Sequence, residues 1–171
     1  MRTYTAGHGT RSAEDVINML RKAGVQTLVD VRRYPGSRRN PQFNQRAFAA
    51  SLAELGIAYR HVETLGGRLS NEPGEGRFAC IRTPAFRSYA ARMGTPEWQE
   101  ALASALDEPA PCFLCAETNW HRCHRRLISE LLAARGHEVL HLLPSGVERH
   151  RLGDDADARS GRLYLCGELV A

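Results

Sequence analysis

The chain has 171 residues, 43% hydrophobic and 25% charged, with a formal net charge of +4, a length that suits one domain able to bury its own core. No apolar run approaches the ~18 residues of a membrane span, which excludes a helical membrane protein. The opening MRTYTAGHGT lacks the apolar stretch and cleavage site of a secretory signal. The chain is therefore expected to act in the cytoplasm from Met1 onward, with its five cysteines reduced.

Tyr4 to Gly9 reads as a short strand ending in a glycine turn, and Ser12 offers an N-cap to an amphipathic helix over 13–23 that Gly24 closes. Residues 27–31, Thr-Leu-Val-Asp-Val, form the β-branched run of a strand buried on both faces of a parallel sheet, with Asp30 as an ionisable guest. An arginine-rich loop from Arg32 to Asn44 leads to a helix over 45–55, ended by Gly56, and a brief strand over 58–62 follows. Residues 63–83 carry Gly66-Gly67, Pro73-Gly74 and Gly76 with few apolar anchors, the composition of a long functional loop. Helices are expected over 85–92 and 96–106, a buried strand over 112–116, a helix over 122–134 ended by Gly136, and a strand over 138–143 stopped by Pro144. This alternation predicts an α/β domain over 1–145, a mostly parallel central sheet of about 4–5 strands with helices on both faces. Residues 146–171 read as an extension, polar until Arg162-Leu-Tyr-Leu-Cys166 adds a late edge strand.

Ligands in open α/β sheets collect at the carboxyl ends of strands, and three such ends carry polar clusters. After the strand at 112–116 comes Cys115-Ala-Glu117-Thr-Asn-Trp-His-Arg-Cys123-His124-Arg125, running into a helix whose first N–H groups favour an anion or a thiolate. Cys115 is the candidate nucleophile, with Glu117, His124 and His8 as the groups that move protons. The same residues also suit a divalent transition metal held by Cys115, Cys123, His124 and Glu117. Cys112 is excluded from such a site, because residues three apart on a strand point to opposite faces.

The second cluster follows Asp30, which needs a buried partner such as Arg32. Asp30, Arg32, Ser37, Arg38 and Asn44, together with Arg125, are the candidate substrate-binding residues, since guanidinium forks suit phosphate or carboxylate. Phe43 or Tyr34 could cover a ring. The third cluster is Gly7-His8. Cys80 and Cys166 read as packing residues, and Trp120 as core or rim.

Tyr4-Thr-Ala-Gly-His8, Leu28-Val-Asp-Val-Arg32, Pro35-x-Ser-Arg-x-x-Pro-x-Phe43, Tyr59-x-His61, Leu65-Gly-Gly67, Phe86-x-x-Tyr89 and Cys115-x-Glu117 with Cys123-His-Arg125 resemble the motifs of domain of unknown function 488, over about residues 3–143. The resemblance implies a small α/β domain, and some members of that family carry a DNA-repair label. Gly9 stands where the family's pattern has serine. A more distant likeness, in the order of strand, loop cysteine, helix and strand, is to rhodanese-like domains, where a loop cysteine handles sulfur or an oxyanion; by that likeness the sandwich is rhodanese-like or Rossmann-like. The expected function is that of a thiol-based transferase or hydrolase acting on a phosphate-, nucleotide- or sulfur-containing substrate, with an anionic small molecule or nucleotide as its partner. The alternatives are a repair-associated nucleic-acid-binding module without catalysis and a metal-dependent enzyme.

Overall fold

The apolar runs of the sequence become the strands of one twisted sheet. The computed structural model describes residues 1–67 and 76–171, with the central strands β1 (Arg2–Gly7), β2 (Thr27–Asp30), β3 (Ala58–His61), β4 (Pro111–Cys115), β5 (Glu138–Leu143) and β6 (Gly146–Arg149). Their order is β3-β2-β4-β1-β5-β6; β1 to β5 run parallel and β6 folds back antiparallel on β5. Every residue of β2 is buried, as a strand covered on both faces requires.

Helices α1 (Ala13–Lys22) and α2 (Gln45–Ala53) cover one face, where Val16, Ile17, Leu20, Phe48 and Leu52 pack on Leu28, Cys112 and Leu114. Helices α3 (Pro84–Met93), α4 (Pro96–Leu106) and α5 (Arg125–Ala134) cover the other, packing Tyr89, Trp98, Leu102, Leu127, Ile128 and Leu131 on Val29, Phe113 and Val139. The result is a three-layer α/β sandwich. The Ser12 side chain accepts from Asp15 N at 3.0 Å at the start of α1, the N-cap read from the sequence. Helix α5 begins later than expected, because Trp120–Arg122 closes a separate 3-10 turn in which Asn119 Oδ1 accepts from His121 N at 3.0 Å.

Two sequence expectations need correction. The late strand, β8 (Arg162–Leu165), joins β7 (Ala156–Arg159) and β9 (Glu168–Leu169) in a separate antiparallel sheet; the edge strand of the central sheet is β6. All four residues of β6 are exposed, so it carries none of the buried-exposed alternation by which strands are recognised. Cys80 and Cys166 are joined in a disulfide across 86 residues of sequence, instead of being separate reduced packing residues. Arg77 donates to Leu169 O at 2.7 Å and Phe78 N to Glu168 Oε1 at 2.9 Å, so residues 76–81 dock on the C-terminal sheet. The rest of the long loop read over 63–83 comprises a 3-10 turn at Glu63–Leu65 and residues 68–75, which lie outside the described ones. Among the described residues no helix is long and apolar enough to cross a membrane.

Candidate functional site

Strand β4 lies between β1 and β2, so the carboxyl ends of all three are neighbours and their loops share one rim. Backbone pairing continues beyond the strands: His8 N donates to Cys115 O at 3.1 Å, Gly9 N to Ala116 O at 2.8 Å and Val31 N to Leu114 O at 2.9 Å. Gly7 is indispensable here, because a Cβ would stand 1.9 Å from the Glu117 carbonyl oxygen. At Gly9, where φ is +57°, a Cβ would meet the Thr118 hydroxyl at 2.3 Å. In this chain a threonine hydroxyl thus fills the space beside the residue that departs from the serine pattern.

Cys115 at the end of β4, Cys123 in the following loop and His124 at the start of α5 converge, their Sγ and ring nitrogen atoms all within 4.8 Å of one another. His124 Nδ1 lies 3.9 Å from Cys115 Sγ and 3.7 Å from Cys123 Sγ. Its Nε2 lies 3.2 Å from Val31 O; a carbonyl only accepts, so Nε2 carries the proton and Nδ1 turns its lone pair toward the sulfurs. Gly67 makes room for this ring, since a Cβ there would stand 2.6 Å from Nδ1. Cys112 is buried on the opposite face of β4, among the side chains under α1 and α2, as its three-residue offset requires.

The two thiols are pushed in opposite directions. Donation from Cys115 holds the Cys123 thiol well below its ordinary range against the opposing cost of burial. Cys115, the donor, is pushed well up, by that hydrogen bond first and by burial second.

Glu117 is exposed and accepts from Asn119 N at 3.1 Å, which braces the loop; it lines the cleft outside the Cys-Cys-His trio. His8 is buried against Phe43 with ring centroids 4.1 Å apart. Its Nδ1 donates to Gly9 O at 2.8 Å and its Nε2 accepts from Arg32 Nη1 at 3.3 Å. Burial pushes its pKa down to about 4, so the ring is neutral near pH 7.

Asp30 is fully buried and receives Arg32 Nε at 2.9 Å, Arg32 Nη2 at 2.5 Å and the Tyr59 hydroxyl at 2.6 Å. Arg32 also donates to Phe43 O at 2.9 Å. This pair braces the cleft with its charges matched, and Arg32 also lines the smaller cavity. Asn44 likewise braces the loop, its Oδ1 accepting from Ser37 N at 2.6 Å. Arg38 is exposed and absent from the cleft lining, whereas Ser37 lines it. Arg125 is buried beneath the site and donates to the Glu117 carbonyl and, at 3.1 Å, to Thr5 Oγ1.

From Thr5 a buried chain continues through the sheet. Thr5 Oγ1 lies 2.7 Å from His141 Nδ1, and His141 Nε2 lies 3.0 Å from His150 Nδ1. His150 Nε2 stands 3.3 Å from Glu130 Oε2, short of hydrogen-bond alignment. Thr5 Oγ1 accepts from Arg125, and its hydroxyl is free to donate to His141 Nδ1, with His141 Nε2 then facing His150 Nδ1 as a donor. Trp120 stacks on His141 with centroids 4.0 Å apart, which places it in the core.

The cleft itself comprises two adjoining cavities of about 670 and 330 Å³ that share His8, Asn40, Gly67, Cys115, Ala116 and His124. Phe86, Tyr89, Glu117 and Arg122 line the larger, and Arg33, Tyr34 and Ser37 the smaller. Arg33 and Asn40 were not singled out from the sequence; nothing in their spacing separates them from the neighbouring arginines and polar loop residues.

Comparison with curated proteins gives no match, and comparison with solved structures gives none either, so the rhodanese-like likeness rests on the order of elements alone. The family model described as "Domain of unknown function DUF488" matches residues 12–132. That span includes the Cys-Cys-His trio, the Arg32–Asn44 loop and Gly67, and leaves out His8 and the His141–His150 pair. With most of its length covered by that match, the chain belongs to the DUF488 family.

Proposed function

We propose that the protein is an enzyme acting, in the cleft at the carboxyl ends of β1, β2 and β4, on a substrate that carries an anionic group. The observation that carries this reading is the convergence of Cys115, Cys123 and His124 on a cleft whose smaller cavity presents the cation of Arg33. Among the described residues no aspartate or glutamate lines that smaller cavity. Among the described residues Arg33 has no carboxylate partner, only the Tyr34 ring 6.0 Å from its guanidinium carbon. Ser37 Oγ accepts from Asn40 N at 3.1 Å, which leaves its O–H available to a ligand. An anionic group bound by Arg33 and Ser37 would set the rest of the substrate beside the two sulfurs and His124, with Phe86 and Tyr89 supplying an apolar wall. Phosphate esters and nucleotides fit this division, since a guanidinium fork binds an oxyanion in a fixed orientation.

The test is protection. In native, metal-free protein, inorganic phosphate is expected to slow alkylation of Cys115 and Cys123, read by mass spectrometry, and Arg33→Ala to weaken that protection about tenfold or more, the worth of one charged hydrogen bond. Arg38→Ala, outside the cleft, should leave it unchanged. Absence of protection would overturn the reading. Salt-steep binding of single-stranded DNA that survives Arg33→Ala would replace the enzyme with an electrostatic binding module.

A further inference from the structure

We propose that Cys115, Cys123 and His124 are three protein ligands of a single zinc-class cation whose fourth coordination position opens into the cleft. The inference deepens the enzyme reading by saying what the reactive trio holds, and it rests on that reading only for the purpose of the cleft.

Geometry supports it first. A tetrahedral centre with metal–sulfur bonds of about 2.3 Å and metal–nitrogen bonds of about 2.0 Å sets sulfur and nitrogen about 3.6 Å apart. The two sulfur–nitrogen separations here are 3.9 and 3.7 Å, and all three donor atoms fall within 4.8 Å. The two sulfur–nitrogen separations reach the tetrahedral value with a shift of a few tenths of an ångström.

The state of His124 is the second argument. Its proton is fixed on Nε2 by the Val31 carbonyl at 3.2 Å, which is the outer partner that metal-binding histidines ordinarily have. Nδ1 is left as a bare lone pair aimed between two sulfurs, an arrangement that a cation completes. Gly67 is the third. A side chain there would begin 2.6 Å from Nδ1, covering the lone pair.

The donor types choose the metal. Two sulfurs and an imidazole select zinc and its softer relatives over magnesium or calcium, which take oxygen ligands. Glu117, whose carboxylate is engaged by Asn119 N, lies outside the trio. Among the described residues the site has three protein ligands and one open position, the pattern of zinc sites that do chemistry, whereas purely structural sites are closed by four. The open position faces the cavity shared by His8, Asn40 and Gly67, next to the proposed anion site.

The experiment is metal reconstitution of the full chain. Protein stripped with a chelator and kept anaerobic is titrated with zinc and, separately, with cobalt. One equivalent should bind, and cobalt should give the visible bands and sulfur-to-metal charge transfer of a tetrahedral thiolate site. Cys123→Ser and His124→Gln should each weaken zinc binding beyond the roughly tenfold to hundredfold that loss of an outer partner costs. Cys112→Ala, on the opposite face of β4, should bind as the native chain does. X-ray absorption at the zinc edge of the unaltered protein reads the donors without any variant, so a folding defect cannot mask the answer. No uptake, a shell without sulfur, or equal binding by Cys123→Ser would overturn the proposal. Phosphate protection in metal-free protein together with no zinc uptake would remove the metal and keep the enzyme reading; zinc uptake without protection would do the reverse.

Discussion

At Gly67 a methyl group would stand 2.6 Å from His124 Nδ1 and 3.0 Å from its Cγ, closer than nonbonded atoms approach. Gly67→Ala is therefore expected to displace the imidazole and weaken zinc uptake at least about tenfold while removing no donor atom; a metal titration beside a thermal melt checks this. Arg32 and Arg33 are adjacent in sequence and both line the smaller cavity, yet one is paired with buried Asp30 and the other has no carboxylate partner among the described residues. Composition could not separate them, because the distinction lies in which side of the emerging chain each side chain takes. The same holds for the cysteines: the strand-end rule makes Cys115 visible, but only the three-dimensional fold brings Cys123 and His124 beside it.

At the scale of elements, the order in which α and β segments alternate was legible, because the apolar period of each segment is a local property. Residues 27–31 announced a doubly covered strand, and β2 is one. The unusual Asp30 at its end proved to be half of a buried ion pair with side chains 0% and 6% exposed. Asp30→Asn leaves Arg32 buried without its counter-charge and is expected to cost about 3 kcal/mol, read as a lowered urea midpoint. The loop after β2 should loosen with it, since Arg32 also holds the Phe43 carbonyl and reaches His8 Nε2. Two features stayed out of reach of pattern reading: β6, an all-exposed strand with no alternation, and the Cys80–Cys166 link, whose partners are far apart in the chain.

For the molecule as a whole, the buried histidines set the acid limit. Burial first, and then His150 and Arg125, push the His141 pKa down to about 3. A histidine whose folded pKa lies below its unfolded value of about 6.5 takes up a proton on unfolding. Its contribution is present above pH ~6.5 and is lost as pH falls from there toward about 3, by up to about 1.4 kcal/mol per pH unit. Urea unfolding across that range should show the loss, and His141→Asn should flatten it. The disulfide adds a second global term. Closing a loop of this length constrains the unfolded chain by about 4.6 kcal/mol in the chain-entropy account, so Cys80→Ser should lower the melting temperature by roughly 10 °C or more.

The same bond makes residues 80 to 166 a covalent ring, from which the first 79 residues emerge as a tail. Cys115, Cys123 and His124 all belong to the ring, while His8, Arg33, Ser37 and Gly67 belong to the tail. A single proteolytic cut anywhere inside the ring leaves every piece still tethered, visible as one band until reductant is added. A cut in the tail before Cys80 releases part of the anion-binding wall from the sulfur-bearing one at once. Covalent connectivity thus assigns the two walls of the cleft to separately severable parts of the chain, and limited proteolysis under oxidising conditions can take them apart one at a time.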